Sequence, residues 1–112
     1  MLALTDSTFT AHLASAERPV LVYFWATWCP PCRMIGPVLA ELETELAEVV
    51  QIVKVDVDTA VETARSQRIM GAPTLNLYRN GELVHSMVGA RPKHALLREL
   101  EPHLELAARH RP

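Results

Sequence analysis

Short apolar runs alternate with helical patterns along the whole chain. The runs that predict strands lie at residues 2–4, 20–26, 50–57, 74–78 and 83–88. Segments whose apolar residues recur every three or four positions predict four helices, which begin near residues 5, 33, 59 and 92. The resulting order, βαβαβαββα, predicts an α/β fold with a central mixed five-stranded sheet flanked by four helices. Such a sheet starts parallel and ends in an antiparallel hairpin.

Local signals predict where several of these elements begin. Thr5 or Asp6 is expected to cap the first helix, which would run to about residue 17. Residues 59–62 have the pattern of a capping box and predict the start of the third helix. Asn80 and Gly81 lie between two strand patterns and predict a tight hairpin turn.

Two prolines and the end of the chain complete the predicted organisation. Pro37 lies within the second helical pattern, residues 33–49, and is expected to kink that helix. Pro102 interrupts the last helical pattern, so we expect a kink or a stop there. We interpret residues 1–112 as a single domain, and we expect 105–112 to form a loose C-terminal tail.

The net charge and the distribution of apolar residues argue against several classes of partner and location. The 112 residues carry a net charge of −2, which gives no reason to expect nucleic acid or an acidic membrane surface as a partner. No apolar run approaches the roughly 20 residues of a membrane span. The first six residues have neither the basic region nor the apolar segment of a signal peptide, so we expect a cytoplasmic protein. In that compartment cysteines cycle between redox states and do not stay oxidised.

The candidate chemistry lies in the segment 28–32, Trp-Cys-Pro-Pro-Cys, which contains both cysteines of the chain. The segment joins a buried strand to an amphipathic helix, a context in which C-x-x-C indicates redox chemistry. Cys29 would lie at the helix N-terminus, where the helix dipole favours a thiolate and lowers the thiol pKa. Pro31 suits the first helical turn and Pro30 stiffens the approach to it. We therefore expect Cys29 to be the exposed and faster-alkylating cysteine.

The alternative chemistry for the two cysteines is half of a metal site. Zinc usually takes four protein or solvent ligands, and the chain has no second C-x-x-C or H-x-x-x-H pair to complete a set. A site shared across a dimer stays open as an alternative. We favour redox chemistry and predict no metal.

The chain resembles the thioredoxin family over nearly its whole length, with Cys-Pro-Pro-Cys as a variant motif. The matching segments, in order, are residues 24–29 with 31–37, 54–58, 71–74, 80–81 and 88–90. The resemblance implies the thioredoxin fold and assigns Cys29 as nucleophile and Cys32 as resolving cysteine. It implies that Pro73 is cis and faces the cysteines. It further implies a shallow, mainly apolar substrate-docking surface, formed by Trp28, Ala72, Pro73, Gly89 and Ala90.

Two positions depart from the family pattern and are expected to tune the redox pair. Pro30 replaces the usual glycine between the cysteines. Tyr23 stands where the family buries an Asp that accepts the proton of the resolving cysteine, and Lys54 would lose that carboxylate as its partner. A tyrosine, with a pKa of about 10, is a poor base at neutral pH. Tyr23 either fills the volume of the missing carboxylate or offers its hydroxyl, and we expect slower resolution or a proton path through water near Lys54.

The resemblance implies a protein disulfide reductase. Its substrates would be disulfide-containing proteins, and its electrons would come from NADPH through a flavoprotein thioredoxin reductase, with no cofactor bound to the chain itself. We expect a monomer. The alternatives are a disulfide oxidase or isomerase, or a binding subunit in which the cysteines are secondary. The motif also resembles that of exported reductases serving cytochrome c maturation, a role that the expected lack of an export signal disfavours.

Overall fold

The computed structural model describes residues 1–104. Its elements are β1 (Leu2–Leu4), α1 (Phe9–Ser15), β2 (Val20–Trp25), α2 (Pro30–Glu45), β3 (Gln51–Asp56), α3 (Val61–Ser66), β4 (Thr74–Arg79), β5 (Glu82–Val88) and α4 (Lys93–Leu100). A short 3₁₀ turn, Glu101–His103, follows α4. The order βαβαβαββα is therefore confirmed. The expected tail, 105–112, lies outside the described residues, and the assignment of one domain to the whole chain stays a prediction.

The five strands form one sheet in the order β1-β3-β2-β4-β5. β3 pairs in parallel with both β1 and β2, whereas β4 pairs antiparallel with β2 and with β5. The sheet thus starts parallel and ends in an antiparallel hairpin, as predicted. At the hairpin, Asn80 and Gly81 have φ values of 53° and 81°, the left-handed conformation that Asn-Gly turns require.

β2 is the central strand and is buried on both sides, because successive side chains point to opposite faces of a sheet. Leu21 and Tyr23 point into the cluster that also contains both cysteines and the inner sides of α2 and α4; we call this the cysteine face. Val22 and Phe24 point into the other cluster, with Phe9 of α1; we call this the α1 face. Every apolar position of β2 from 20 to 24 is therefore used for packing.

α2 begins three residues earlier than the pattern predicted and ends four residues earlier. Pro30 and Pro31 occupy its first turn, where a missing amide hydrogen leaves no helical bond unmade. The helix ends at Glu45, and a turn over 46–49 keeps Leu46 and Val49 buried. Pro37 lies inside α2, as predicted.

The predicted caps of α1 and α3 are wrong. Asp6, one of the two residues expected to cap α1, instead binds the first turn of α3. α1 begins only at Phe9, after a turn in which the Thr5 carbonyl accepts from the amides of Thr8 and Phe9 at 3.1 and 3.0 Å. No side chain of 59–62 caps α3; the Asp6 carboxylate instead accepts from the Thr63 amide at 2.8 Å and the Thr63 hydroxyl at 2.7 Å. Those two bonds hold the pKa of Asp6 below its ordinary value. Asp6 therefore ties the first turn to a helix that follows 57 residues later.

The last helix ends close to Pro102, as the sequence indicated. α4 stops at Leu100, and Pro102 lies within the 3₁₀ turn that follows. Within residues 1–104, no helix combines the length and the apolar character that crossing a membrane requires.

Candidate redox site

Cys29 is the N-cap residue of α2, and Cys32 lies in the first turn of that helix. The two residues are joined by a disulfide, with their Cα atoms 5.3 Å apart. The Cys29 Sγ also accepts a hydrogen bond from the Cys32 amide, with 3.2 Å between nitrogen and sulfur. The sulfur therefore takes the place of the oxygen that normally caps a helix. The site expected at the strand-to-helix junction is present, in its oxidised state.

The two prolines determine which amides can reach Cys29. They fill the first two helical positions, and neither carries an amide hydrogen. Cys32 is consequently the first residue of α2 that can donate to a group at the N-cap. The electrostatic support for a negative sulfur is thus concentrated in that one nearby donor and in the helix dipole.

The exposure expected for Cys29 is not found in the disulfide state. Only 1% of Cys29 and 3% of Cys32 is accessible to solvent. The physical reason is the cap itself, which folds the Cys29 sulfur back over the helix end, against the apolar cluster that includes Ala26 and Ala72. Burial among apolar groups opposes thiolate formation, whereas the helix N-terminus favours it.

A cis-proline loop precedes β4 at the same edge of the sheet. The Ala72–Pro73 peptide bond is cis, as predicted. Thr74 pairs with Phe24 near the end of β2 and with Val88 at the end of β5, so the register places this loop beside the redox turn. The Gly89 amide donates to the Pro73 carbonyl at 2.8 Å, which joins the loop to the segment containing Gly89 and Ala90.

The expected docking residues differ in how much of each is accessible. Trp28 is 63% exposed, and Ala90 is also exposed. Ala72 and Gly89 are partly exposed, whereas Pro73 is buried and shapes the surface from beneath. Within residues 1–104, the Ala72 amide and carbonyl make no backbone hydrogen bond. An extended segment could therefore pair with Ala72.

Asp58 is a site residue that the sequence did not identify as one. Its carboxylate accepts from the Trp28 indole nitrogen at 2.9 Å, which holds an exposed ring beside the cysteines. The parallel register of β2 and β3 pairs Trp25 with Asp56, and so brings the residues that follow each strand together. That pairing is the signal that could have identified Asp58.

Tyr23 lies beneath the first turns of α2. Its hydroxyl donates to the Cys32 carbonyl at 2.8 Å, and a Cβ added at Gly36 would lie 3.9 Å from the same hydroxyl oxygen. Burial raises the pKa of Tyr23 above its ordinary value, so the phenol stays protonated at neutral pH. Tyr23 therefore fills volume and also uses its hydroxyl, but its hydrogen bond goes to the backbone of Cys32.

Lys54 pairs with Tyr23 in the β2–β3 register. Its ammonium nitrogen lies 5.7 Å from the centroid of the Trp25 ring, within range of a cation–π interaction. No ion pair involves Lys54 among residues 1–104. Trp25 takes the place of the carboxylate partner that the family pattern would supply.

A cleft of about 300 Å³ reaches Cys32 from solvent. Its lining residues are Tyr23, Trp25, Ala26, Thr27, Cys32 and Arg33. A cleft of this size has room for several water molecules. The described part of the chain holds no group of three or more His, Cys, Asp or Glu side chains placed to bind a metal ion.

Comparison with known proteins supports the same interpretation. The family model described as Thioredoxin matches residues 1–102. A thioredoxin of Mycobacterium tuberculosis (strain ATCC 25618 / H37Rv) is 50% identical over 99 residues, 88% of this chain and 85% of that protein. The thioredoxin of Bacillus subtilis (strain 168) is 46% identical over 100 residues, 89% and 94% of the two chains. A bifunctional thioredoxin reductase/thioredoxin of Mycobacterium leprae (strain TN) is 46% identical over 99 residues, 88% of this chain and 22% of that protein.

The fold, the disulfide and these similarities define a thiol–disulfide oxidoreductase. More specifically, the chain belongs to the thioredoxin family. Thioredoxins are protein disulfide reductases that carry no bound cofactor, and they act on disulfide-containing proteins. The expected fold class and enzyme class are both confirmed.

Proposed function

We propose that Cys29 is the nucleophile of this reductase and Cys32 its resolving cysteine. The Cys29 thiolate attacks one sulfur of a substrate disulfide; that bond breaks, one substrate thiolate leaves, and a mixed disulfide forms. Cys32, once deprotonated, attacks the Cys29 sulfur and releases the second substrate thiolate. Two electrons pass to the substrate, and the chain is left with the Cys29–Cys32 disulfide.

One observation carries this assignment: Cys29 and not Cys32 occupies the N-cap of α2. At that position the Cys32 amide donates to the Cys29 sulfur. A donor to the charged form of an acid lowers its pKa, so the thiolate forms more readily at Cys29. Cys32 lies within the first turn of α2, at disulfide distance from Cys29, where a resolving cysteine can reach the Cys29 sulfur.

The proton of Cys32 leaves through solvent in the cleft beside it. Tyr23 cannot accept that proton at neutral pH, because it is a buried phenol that already donates to the Cys32 carbonyl. The cleft is lined by Cys32 itself and by Trp25, over which the Lys54 charge lies. We propose that the Lys54 charge, held over the Trp25 ring that lines this cleft, favours loss of the Cys32 proton.

Pro30 and Pro31 tune the redox poise by limiting the donors at the helix start. A glycine at position 30 would restore an amide hydrogen at the first helical position. That donor would favour the thiolate and thus the reduced pair. A potential shift of about 30 mV corresponds to about 1.4 kcal/mol for this two-electron couple.

Substrates dock against Trp28, Ala72, Gly89 and Ala90, over the buried ring of Pro73. The free backbone groups of Ala72 support pairing with an extended substrate segment, as in other cases of strand addition. The exposed Trp28 ring, fixed by Asp58, supplies apolar contact.

The partner that returns electrons is, in this proposal, an NADPH-dependent flavoprotein thioredoxin reductase. Membership of the family supports it, as does the M. leprae relative, whose name joins both activities in one protein. We also propose a monomer, because the cysteines, Trp28 and the cis-proline loop all come from one chain. A cytoplasmic location suits cysteines that must be reduced repeatedly.

Single-cysteine variants test the assignment of roles. The reduced Cys32→Ser variant is expected to accumulate a mixed disulfide with a protein substrate, whereas Cys29→Ser should form almost none. Mass spectrometry of non-reduced samples measures both adducts. A stronger adduct with Cys29→Ser would reverse the assignment. A double Cys→Ser variant that kept the full biological function would favour the binding-subunit alternative.

Replacement of Tyr23 by Asp tests the proton path. A carboxylate at this position would give Cys32 an internal base, so the second step, in single-turnover experiments at neutral pH, should become faster. Tyr23→Asn is the matched control, because it makes a similar change in volume without supplying a base. Equal rates in the two variants and the parent would refute the hypothesis that the lack of an internal base slows resolution.

A further inference from the structure

The end of α3 determines how the cis-proline loop leaves the helix. The Ile69 amide donates to the Ala64 carbonyl at 2.9 Å and the Arg68 amide donates to the Arg65 carbonyl at 3.0 Å, the bond pattern of a Schellman cap. Arg68 takes the left-handed conformation that this cap requires, with φ of 57°. Ile69 then packs against the α1 face.

Unlike Ile69, the next residue, Met70, points into solvent. It is 96% exposed, three residues before the cis proline. Two of the other three methionines provide internal references. Met34, on α2, is 74% exposed, whereas Met87, on β5, is only 2% exposed. A thioether as exposed as that of Met70 is open to oxidants that cannot reach Met87.

We propose that Met70 is a reversible oxidation site that weakens substrate docking when it becomes the sulfoxide. This proposal rests on the proposed docking surface. A hydroperoxide transfers one oxygen to the thioether sulfur, the O–O bond breaks, and the second oxygen leaves as water, or as an alcohol from an organic peroxide. The sulfur loses two electrons. Methionine sulfoxide reductases reverse the change.

Oxidation is expected to weaken docking because the sulfoxide is far more polar than the thioether. The thioether of methionine is flexible and apolar and adapts to varied partners. The sulfoxide is polar, so a substrate that covers it must remove water from a group with no assigned hydrogen-bond donor. Met70 lies three positions before Pro73, whose carbonyl accepts from the Gly89 amide, and we infer from this chain proximity that a substrate docked over Pro73 also covers Met70. The cysteine chemistry itself would be unaffected.

The experiment uses the disulfide form, in which Cys29 and Cys32 are already paired and protected. The protein is treated with limited hydrogen peroxide, quenched, and mapped by peptide mass spectrometry. It is then reduced with dithiothreitol, freed of reductant, and assayed on insulin and on the small disulfide 5,5′-dithiobis(2-nitrobenzoic acid). Met70→Leu is treated in parallel, with Met34→Leu as the matched control for the other exposed methionine.

We expect sulfoxide at Met70 long before Met87. The rate constant for insulin should fall by about threefold to tenfold, the effect of losing part of one apolar contact, while the rate with the small disulfide stays unchanged. Peroxide treatment should leave the insulin activity of Met70→Leu at that variant's own untreated level. It should lower the activity of Met34→Leu by the same factor as that of the parent, and sulfoxide reductases should restore the treated parent.

Three results would overturn the proposal. They are oxidation of Met70 no faster than that of Met87, full insulin activity of the Met70 sulfoxide protein, or equal losses in the parent and in Met70→Leu. Failure of the proposed function would look different, because untreated protein would then fail to reduce insulin at all.

Discussion

Tyr23 and Tyr78 lie on neighbouring strands of the same sheet but point to opposite faces. Their hydrogen bonds differ, and the difference shows which part of the redox site each face supports. Both rings are buried, and burial raises the pKa of both phenols. Tyr23 points to the cysteine face, where its hydroxyl makes one bond, to the Cys32 carbonyl. Tyr78 packs on the α1 face, where its hydroxyl accepts from Asn76 at 3.0 Å and donates to Gln67 at 2.6 Å.

The comparison teaches that the two phenols support different halves of the redox site. Tyr23 contacts the helix that carries the cysteines. Tyr78 donates to Gln67, the C-cap residue of α3, and the chain runs from there into the cis-proline loop. Burial favours the neutral phenol in the folded state. Each tyrosine therefore makes its full contribution to the free energy of unfolding at neutral pH. That contribution declines only as the pH rises above the tyrosine pKa in the unfolded chain, about 10.

The largest expected effect is that of Tyr78→Phe on stability. Loss of the hydroxyl leaves the buried Asn76 amide without its acceptor and Gln67 without its donor. The free energy of unfolding should fall by about 1–3 kcal/mol, the cost of unsatisfied buried polar groups. Urea unfolding measures it. If the free energy of unfolding fell no more than in Tyr23→Phe, the claim that the Tyr78 hydroxyl contributes more to stability than the Tyr23 hydroxyl would be contradicted.

A smaller effect is expected for Tyr23→Phe. The variant removes one neutral hydrogen bond, so the free energy of unfolding should fall by about 0.5–1.5 kcal/mol. The single-turnover rate of disulfide reduction at neutral pH should stay within twofold of the parent, because the hydroxyl is not the base. Stopped-flow measurements follow the rate. A tenfold slower second step would show that the hydroxyl takes part in resolution.

The smallest expected change in the free energy of unfolding is that of Arg68→Gly, at the end of α3. Arg68→Gly removes the cost of a left-handed side chain, about 1–2 kcal/mol, and adds a backbone entropy cost of about 0.5–1 kcal/mol. The net result should be stabilisation of up to about 1.5 kcal/mol, measured by urea unfolding. Arg65→Gly, inside α3, is the matched control and should destabilise by up to about 1 kcal/mol. Destabilisation by both variants would show that the Arg68 side chain itself matters.

Features coded by adjacent residues were predictable from the sequence. The apolar run at β2 and the Asn80-Gly81 turn determine local conformation, and the structure has both. The cap that Asp6 gives to α3 was not predictable, because donor and acceptor are separated by 57 positions in the chain. The same holds for Asp58 and Trp28, which only strand pairing brings together.

The cysteine site shows the same limit. The motif and the helix pattern place Cys29 at a helix start, and the structure has it there as the N-cap. Its burial depends on how the sulfur folds over the Cys32 amide and packs against Ala26, which no pattern along the chain encodes. The contact of Tyr23 with the Cys32 carbonyl likewise required the packing of α2 on β2.

The most direct test of the central claim is the rate of alkylation of each cysteine in the reduced protein as a function of pH. The helix N-terminus favours the Cys29 thiolate, and burial opposes it. If the N-terminus dominates, Cys29 reacts with iodoacetamide faster than Cys32, with a midpoint below the ordinary thiol pKa of about 8.5. Equal, slow labelling of both cysteines with midpoints above that value would contradict the account.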